Sequence, residues 1–204
     1  MPQHPDRFYP IVDTVAWVQR LARAGVRTVQ LRAKDLDRAE AAALVGAALA
    51  ATAGTATELI VNDHWEAAID AGARHVHLGQ EDLAVADVPA IRKAGLTLGL
   101  STHDEAELEA ALAARPDYVA LGPIYPTTLK VMRFGPQGLD RIGQWKRQVG
   151  PMPLVAIGGI TLERAPGVFA AGADSIAVVS DVTQNPDPDA RVRDWLAFTQ
   201  SEPR

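Results

Sequence analysis

Eight short apolar runs alternate with helix-forming segments, which predicts an α/β chain and, by their number, a single (β/α)8 TIM barrel. Two further observations point the same way. Several runs end in charged, amide or hydroxyl residues, the layout of a parallel barrel with a site at one mouth. Four junctions carry an Ala-Gly pair just before the next run: Ala24-Gly25, Ala71-Gly72, Ala94-Gly95 and Ala171-Gly172. Glycine accepts the left-handed conformation that closes a helix, so helix–Gly–strand is the βα unit seen from its downstream end.

In chain order, strands are expected at Phe8–Val12, Thr28–Ala33, Glu58–Asn62, His75–Gly79, Thr97–Ser101, Tyr118–Gly122, Leu154–Gly158 and Ser175–Val179. Each is a short apolar run bounded by turn residues. Helices are expected at Trp17–Ala24, Arg38–Ala53, Glu105–Ala114, Leu139–Val149 and Ala190–Phe198. Trp17, Leu21 and Ala24 share one helical face, and Arg38–Ala53 is largely Ala and Leu. Asp104 and Thr161 stand where N-caps are needed. An open doubly wound sheet is the alternative fold, weakened because no G-x-G-x-x-G follows the first strand. The whole of 1–204 reads as one domain, near the lower limit of about 200 residues for a barrel. The segment at about 123–138, rich in Pro and Gly, reads as an active-site loop.

Composition narrows the functional classes. A net charge of −5 gives no electrostatic case for nucleic acid. The chain has no cysteine, which excludes disulfides, thiolate metal sites and cysteine nucleophiles. The opening MPQHPDRFYP has no signal-peptide character, and the Ala-rich stretch 41–53 is too short to span a bilayer. A soluble cytoplasmic protein, with no membrane partner, is the expectation.

The polar strand ends carry the chemistry. Side chains alternate along a strand, so Gln30, Arg32 and Lys34 share a face directed into the barrel mouth. Lys34 equally suits a strand end emerging into solvent, whereas Arg32, deeper in the strand, needs an anionic partner. Asp63 and Asp82 end adjacent strands. Each alone suits an N-cap. Together they repel unless a proton or cation lies between them, and beside Arg32 and Lys34 they favour magnesium, which takes oxygen ligands. After the seventh and eighth strands come Gly158-Gly159 and Val179-Ser180. Backbone N–H groups of those loops form a phosphate site in many such barrels, where glycine allows close approach. His75 and His77 share a face but lack a third metal ligand at useful spacing, so interior hydrogen bonding is expected. His103 follows Ser101 by two residues and suits an acid–base role or a simple hydrogen bond. G-L-S-T-H is not a nucleophile elbow.

The ordered motifs QLRAKD, VNDH, HVHLGQEDL, LGLSTH, DYVALGPIYPTTLK, PQGL, AIGGI and SIAVVS, spread from about Val29 to Val182, resemble the thiamine phosphate synthase (thiamine-phosphate pyrophosphorylase) family. The resemblance implies a (β/α)8 barrel. It implies a Mg2+-dependent transferase joining hydroxymethylpyrimidine diphosphate to a thiazole phosphate, with release of pyrophosphate. By that resemblance Gln30, Arg32, Lys34, Asn62, Ser101 and Lys130 hold the pyrimidine diphosphate, and Asp63 and Asp82 bind magnesium. Thr127, Thr128, Leu129, Gly159, Val179 and Ser180 fall on the thiazole-phosphate side. Arg32, Lys34 and Lys130 would stabilise the departing pyrophosphate. Two positions depart from the family pattern. Leu129 stands where the family's P-T-x-T-K has its second Thr, and Asp181 follows Val-Val-Ser where a small residue is common. A carboxylate at 181 would repel a phosphate unless it points outward. A thiazole tautomerase-like isomerase and a non-catalytic phosphate-binding barrel are the alternatives. Neither needs Arg32, Lys34, Asp63, Asp82 and Lys130 together.

Overall fold

The computed structural model describes residues 5–127 and 134–201. Eight parallel strands close in sequence order: β1 (Phe8–Val12), β2 (Thr28–Leu31), β3 (Glu58–Asn62), β4 (His75–Leu78), β5 (Thr97–Thr102), β6 (Tyr118–Leu121), β7 (Leu154–Ile157) and β8 (Ser175–Val178), with β8 pairing back onto β1. The connecting helices are α1 (Val15–Arg23), α2 (Arg38–Thr52), α3 (Trp65–Asp70), α4 (Gln80–Leu83), α5 (Val88–Lys93), α6 (Glu105–Ala113), α7 (Gly138–Val149), α8 (Ala165–Ala170), α9 (Ser180–Thr183) and α10 (Pro188–Ser201). The predicted barrel is therefore the observed one, with strand limits differing by a residue or two.

Local chemistry sets the helix ends. Asp37 and Glu40 form a reciprocal capping box at the start of α2, and Asp104 accepts from the Glu107 N–H as expected. Gly25, Gly72, Gly95 and Gly172 all have positive φ directly after a helix, as the Ala-Gly signature requires. Thr161 is not an N-cap. The Arg164 N–H bonds its carbonyl in an intervening turn, and α8 starts at Ala165 with Pro166 in its first turn. The helices that sequence periodicity did not reveal, α3, α4, α5, α8 and α9, have six residues or fewer. So few residues complete too little of a 3.6-residue repeat to show a face.

Register divides the barrel into two hydrophobic layers. The outward side chains of the strands pack under the helices, with Trp145 of α7 and Trp195 of α10 fully buried there. Trp195 stacks on Phe8 of β1 at 5.2 Å between ring centroids, which fastens α10 to the barrel. The inward side chains form a smaller cluster of Tyr9, Ile11, Ile60, Tyr118, Ala120, Val155 and Ala177. Two tyrosines in so narrow an interior need space from a neighbouring strand. Gly99 of β5 supplies it: a Cβ there would lie 2.0 Å from the Tyr118 ring. No described helix is long and apolar enough to cross a membrane.

Candidate active site

The strand ends bring one set of polar side chains to the C-terminal mouth. Gln30 is buried on β2 in register with Ile11 of β1 and Ile60 of β3. The strand stops at Leu31, but the Arg32 N–H still bonds the Val12 carbonyl at 2.8 Å, so Arg32 keeps the direction of β2. Arg32 is half-buried, and Lys34, three residues past the strand, is exposed. Both cations act on the Asp63 carboxylate. The structure therefore brings together the cluster expected from QLRAKD and VND.

Asp63 and Asp82 approach closely enough for their carboxyls to share a hydrogen bond. The Asp63 carboxyl is pushed up to about 6, first by burial, then by the charge of Asp82; Arg32 and Lys34 oppose the rise. Neither aspartate is a cap. The N-cap of α3 is His64 and that of α4 is Gly79, and neither helix has a side-chain cap bond. Asp63 sits at φ +63°, a left-handed conformation that costs energy in a residue with a Cβ. Two carboxylates that repel each other, one on a strained backbone and neither with a capping role, fit a hard cation with oxygen ligands. Among the described residues no cluster of three or more His, Cys, Asp or Glu side chains forms a metal site. Magnesium is compatible with that, since one or two carboxylates plus water and substrate phosphate complete its shell. Nearby, the Asn62 side-chain Nδ2 is buried with no hydrogen-bond partner, a donor that a ligand would satisfy.

His77 and Ser101 lie on the neighbouring strands β4 and β5, with His77 in register with Asn62 of β3. His77 Nε2 is 2.9 Å from Ser101 Oγ, and its Nδ1 is 2.9 Å from Tyr118 Oη. Burial, reinforced by Arg32, lowers the imidazole to about 4, so it is neutral. His75 is engaged elsewhere, its Nδ1 2.7 Å from Thr97 Oγ1. Both histidines hydrogen-bond inside the barrel, as expected. His103 is paired with Glu107 at 2.6 Å and stacks on Phe134 at 5.0 Å. Gln137 Nε2 donates to the His103 carbonyl. His103 thus anchors the returning limb of the 123–138 loop.

That loop is tied at its base. Gln137 N–H and Gly138 N–H donate to the carbonyls of Pro123 and Ile124, while Ile124 N–H and Tyr125 N–H donate to Ile157 and Gly158. This explains the two glycines after β7. A Cβ on Gly158 would lie 2.7 Å from Pro123, and one on Gly159 would lie 2.4 Å from the Pro126 carbonyl. Close approach of the neighbouring loop requires them, a cause the sequence reading did not include. Thr127 is half-buried beside this contact; Thr128, Leu129 and Lys130 lie outside the described residues. Val179 follows β8 and packs on the inner cluster, and Ser180 opens α9.

Asp181 points away from the mouth. Its carboxylate takes a two-point bond from Arg191 and another from Trp195 Nε1 at 2.6 Å, all on α10. The repulsion considered for this position is therefore absent.

Sequence reasoning missed Tyr9, Tyr118 and Gln80. The two tyrosines lie within apolar runs and read there as ordinary core residues. The available signal was register: Tyr118 faces a glycine, Gly99, on the neighbouring strand. Gln80 donates to the Ser101 carbonyl at 2.6 Å and ties α4 to β5.

The thiamine monophosphate synthase family model matches residues 7–182. The chain belongs to this family. It is 61% identical to the thiamine-phosphate synthase of Rhizobium etli over 95% of both chains. It is 52% identical to that of Klebsiella pneumoniae, over 94% of this chain and 87% of the relative. Among solved structures it resembles the thiamine phosphate pyrophosphorylase of Pyrococcus furiosus, with a TM-score of 0.81 and 25% identity over 95% of both chains. A 3-hexulose-6-phosphate synthase at 16% identity and a TM-score of 0.69 shares the barrel alone. The family thus expected from the ordered motifs is the one found.

Proposed function

We propose that this protein condenses 4-amino-2-methyl-5-hydroxymethylpyrimidine diphosphate with a thiazole phosphate, giving thiamine phosphate and pyrophosphate, with Mg2+ as cofactor. The observation that carries the reading is the mouth cluster: Asp63 against Asp82, with Arg32 and Lys34 acting on the same carboxylate. Opposed acids beside fixed cations suit a metal–diphosphate ligand better than a neutral one.

Held by Asp63 and Asp82, magnesium would supply charge neutralisation for the diphosphate. The C–O bond between the pyrimidine methylene and the diphosphate breaks, and its electron pair leaves with pyrophosphate. The methylene cation, delocalised by the aminopyrimidine, accepts the lone pair of the thiazole nitrogen to form the new C–N bond. Nothing in this balance requires a protein nucleophile. The work of the chain is electrostatic: Arg32, Lys34 and Lys130 favour the departing charge over the bound substrate. Gln30, Asn62 and Ser101 orient the pyrimidine diphosphate. Thr127, Gly159, Val179 and Ser180 fall on the thiazole-phosphate side, to which the family resemblance also assigns Thr128 and Leu129. Exclusion of water from the cation is the role we assign to the 123–138 loop, whose described base is tied to the end of β7. Incubation of the purified protein with both substrates and magnesium, followed by detection of thiamine phosphate, tests the reading. Its absence at saturating substrates would reject it and point to Leu129 first.

A further inference from the structure

A continuous chain of polar groups crosses the barrel interior. Gln30 Nε2 donates to Tyr9 Oη at 2.6 Å, and Tyr9 Oη lies 3.2 Å from Tyr118 Oη. Tyr118 Oη is 2.9 Å from His77 Nδ1, and His77 Nε2 is 2.9 Å from Ser101 Oγ. The chain runs through β2, β1, β6, β4 and β5. Its ends, Gln30 and Ser101, are the residues read above as holding the pyrimidine diphosphate. Its middle members have no role in that reading.

Counting protons gives the chain a direction. Burial raises both phenols, so each keeps its single proton. A neutral imidazole carries one N–H. The Gln30 amide already donates to Tyr9, so the Tyr9 proton goes to Tyr118, and the Tyr118 proton goes to His77 Nδ1. His77 must then hold its proton on Nε2 and donate to Ser101. The Ser101 proton is left to point elsewhere, towards the mouth. Turning the Gln30 amide over would reverse every link, and Ser101 would then show an incoming ligand only lone pairs. Oxygens of a diphosphate require donors, so the direction that starts from the Gln30 amide N–H is the useful one.

We propose that Tyr118 and Tyr9 are positioning residues: through a one-way hydrogen-bond chain they lock His77 in its Nε2–H tautomer and hold the Ser101 hydroxyl as a donor to the pyrimidine-diphosphate substrate. The packing supports this. The Tyr118 ring stacks on the His77 ring at 5.5 Å and 24° and occupies the space that Gly99 leaves. Its hydroxyl therefore has little freedom to leave Nδ1. The identity of the substrate rests on the proposed function; the tautomer does not.

The test is long-range proton–nitrogen NMR on the full chain labelled with 15N-histidine, with His77 assigned from the spectrum of His77→Gln. The wild type is expected to show an Nε2–H imidazole with an unprotonated Nδ1. Tyr118→Phe keeps the ring and removes the donor. It is expected to give mixed tautomers and to raise KM for the pyrimidine diphosphate about tenfold, as loss of one positioned hydrogen bond implies. The KM for the thiazole phosphate should stay unchanged. Tyr9→Phe should act in the same direction, and it decides the matter if Tyr118→Phe does not fold. An Nδ1–H imidazole in the wild type would overturn the proposal. So would wild-type tautomer and KM in the variant that folds. If the wild type turns over neither substrate, the proposed function fails, while the tautomers of wild type and variant still decide the chain.

Discussion

Asp181 and Arg191 form a two-point ion pair, with Oδ2 2.9 Å from Nε and Oδ1 2.7 Å from Nη2. The Asp181 side chain is only 7% exposed, and Arg191 reaches on to Glu163 at 2.8 Å. A carboxylate in α9, just after the last strand, thereby fastens α10.

Asp181→Ala is expected to lower stability by about 2–3 kcal/mol, because it leaves the Trp195 N–H and part of the Arg191 guanidinium without a buried partner. Affinity for thiazole phosphate should be unchanged. Urea unfolding and a binding titration measure the two effects separately. Tighter phosphate binding in the variant would show that the carboxylate does reach the mouth.

His77 predicts a pH dependence. Its folded value, about 4, lies below the ordinary 6.5. Above pH 6.5 neither state holds the proton and His77 is silent. As pH falls from 6.5 towards 4 the unfolded chain takes up a proton that the folded chain refuses, and stability declines. The whole decline is about 3 kcal/mol. Asp63 works the other way between its ordinary 3.8 and about 6, because there the folded state binds the proton more tightly. The contrast to measure is therefore wild type against His77→Gln. The wild type should lose more stability than the variant between pH 6.5 and pH 4 in denaturant titrations. Parallel curves would contradict a buried neutral His77.

The acidic pair predicts a competition between proton and magnesium. At pH 5 a proton relieves the repulsion between Asp63 and Asp82; at pH 8 a cation is needed. Magnesium at ten times its Kd should stabilise the protein by about 1.4 kcal/mol at pH 8, and by much less at pH 5. Asp82→Asn should abolish the shift and leave the barrel folded, since Asp82 caps no helix. Thermal unfolding with and without magnesium checks both statements. An Asp82→Asn protein that fails to fold would instead assign Asp82 a structural role.

Gly99→Ala should cost about 1–3 kcal/mol, the usual penalty for overpacking a core. The added methyl would meet the Tyr118 ring at 2.0 Å, and that ring is held between β5 and the inner cluster. Differential scanning calorimetry measures the loss. A neutral substitution would show that the ring has room to move.

Strand number, order and the polar strand ends were legible because the βα units repeat a few signals: an apolar run in all eight, a polar end in several, and an Ala-Gly helix exit in four. Asp63 and Asp82 could be paired from strand adjacency alone. Other features depend on contacts between distant segments, which spacing does not encode. The direction of Asp181 is set by Arg191 and Trp195 on the last helix. The glycines at 158 and 159 are required by the loop after β6. The tyrosines inside the barrel acquire their importance from partners on three other strands, β2, β4 and β5. Short helices such as α4 and α9 were hidden for a simpler reason, since four residues cannot display a helical period.

The most direct test of the central claim is pyrophosphate release from the purified protein supplied with hydroxymethylpyrimidine diphosphate and thiazole phosphate, first with magnesium and then with a chelator. The account predicts release with magnesium, thiamine phosphate formed in equal amount, and arrest of both by the chelator. Release that continues without magnesium would contradict the metal role of Asp63 and Asp82. No release from folded protein that still binds thiazole phosphate would contradict the transferase itself.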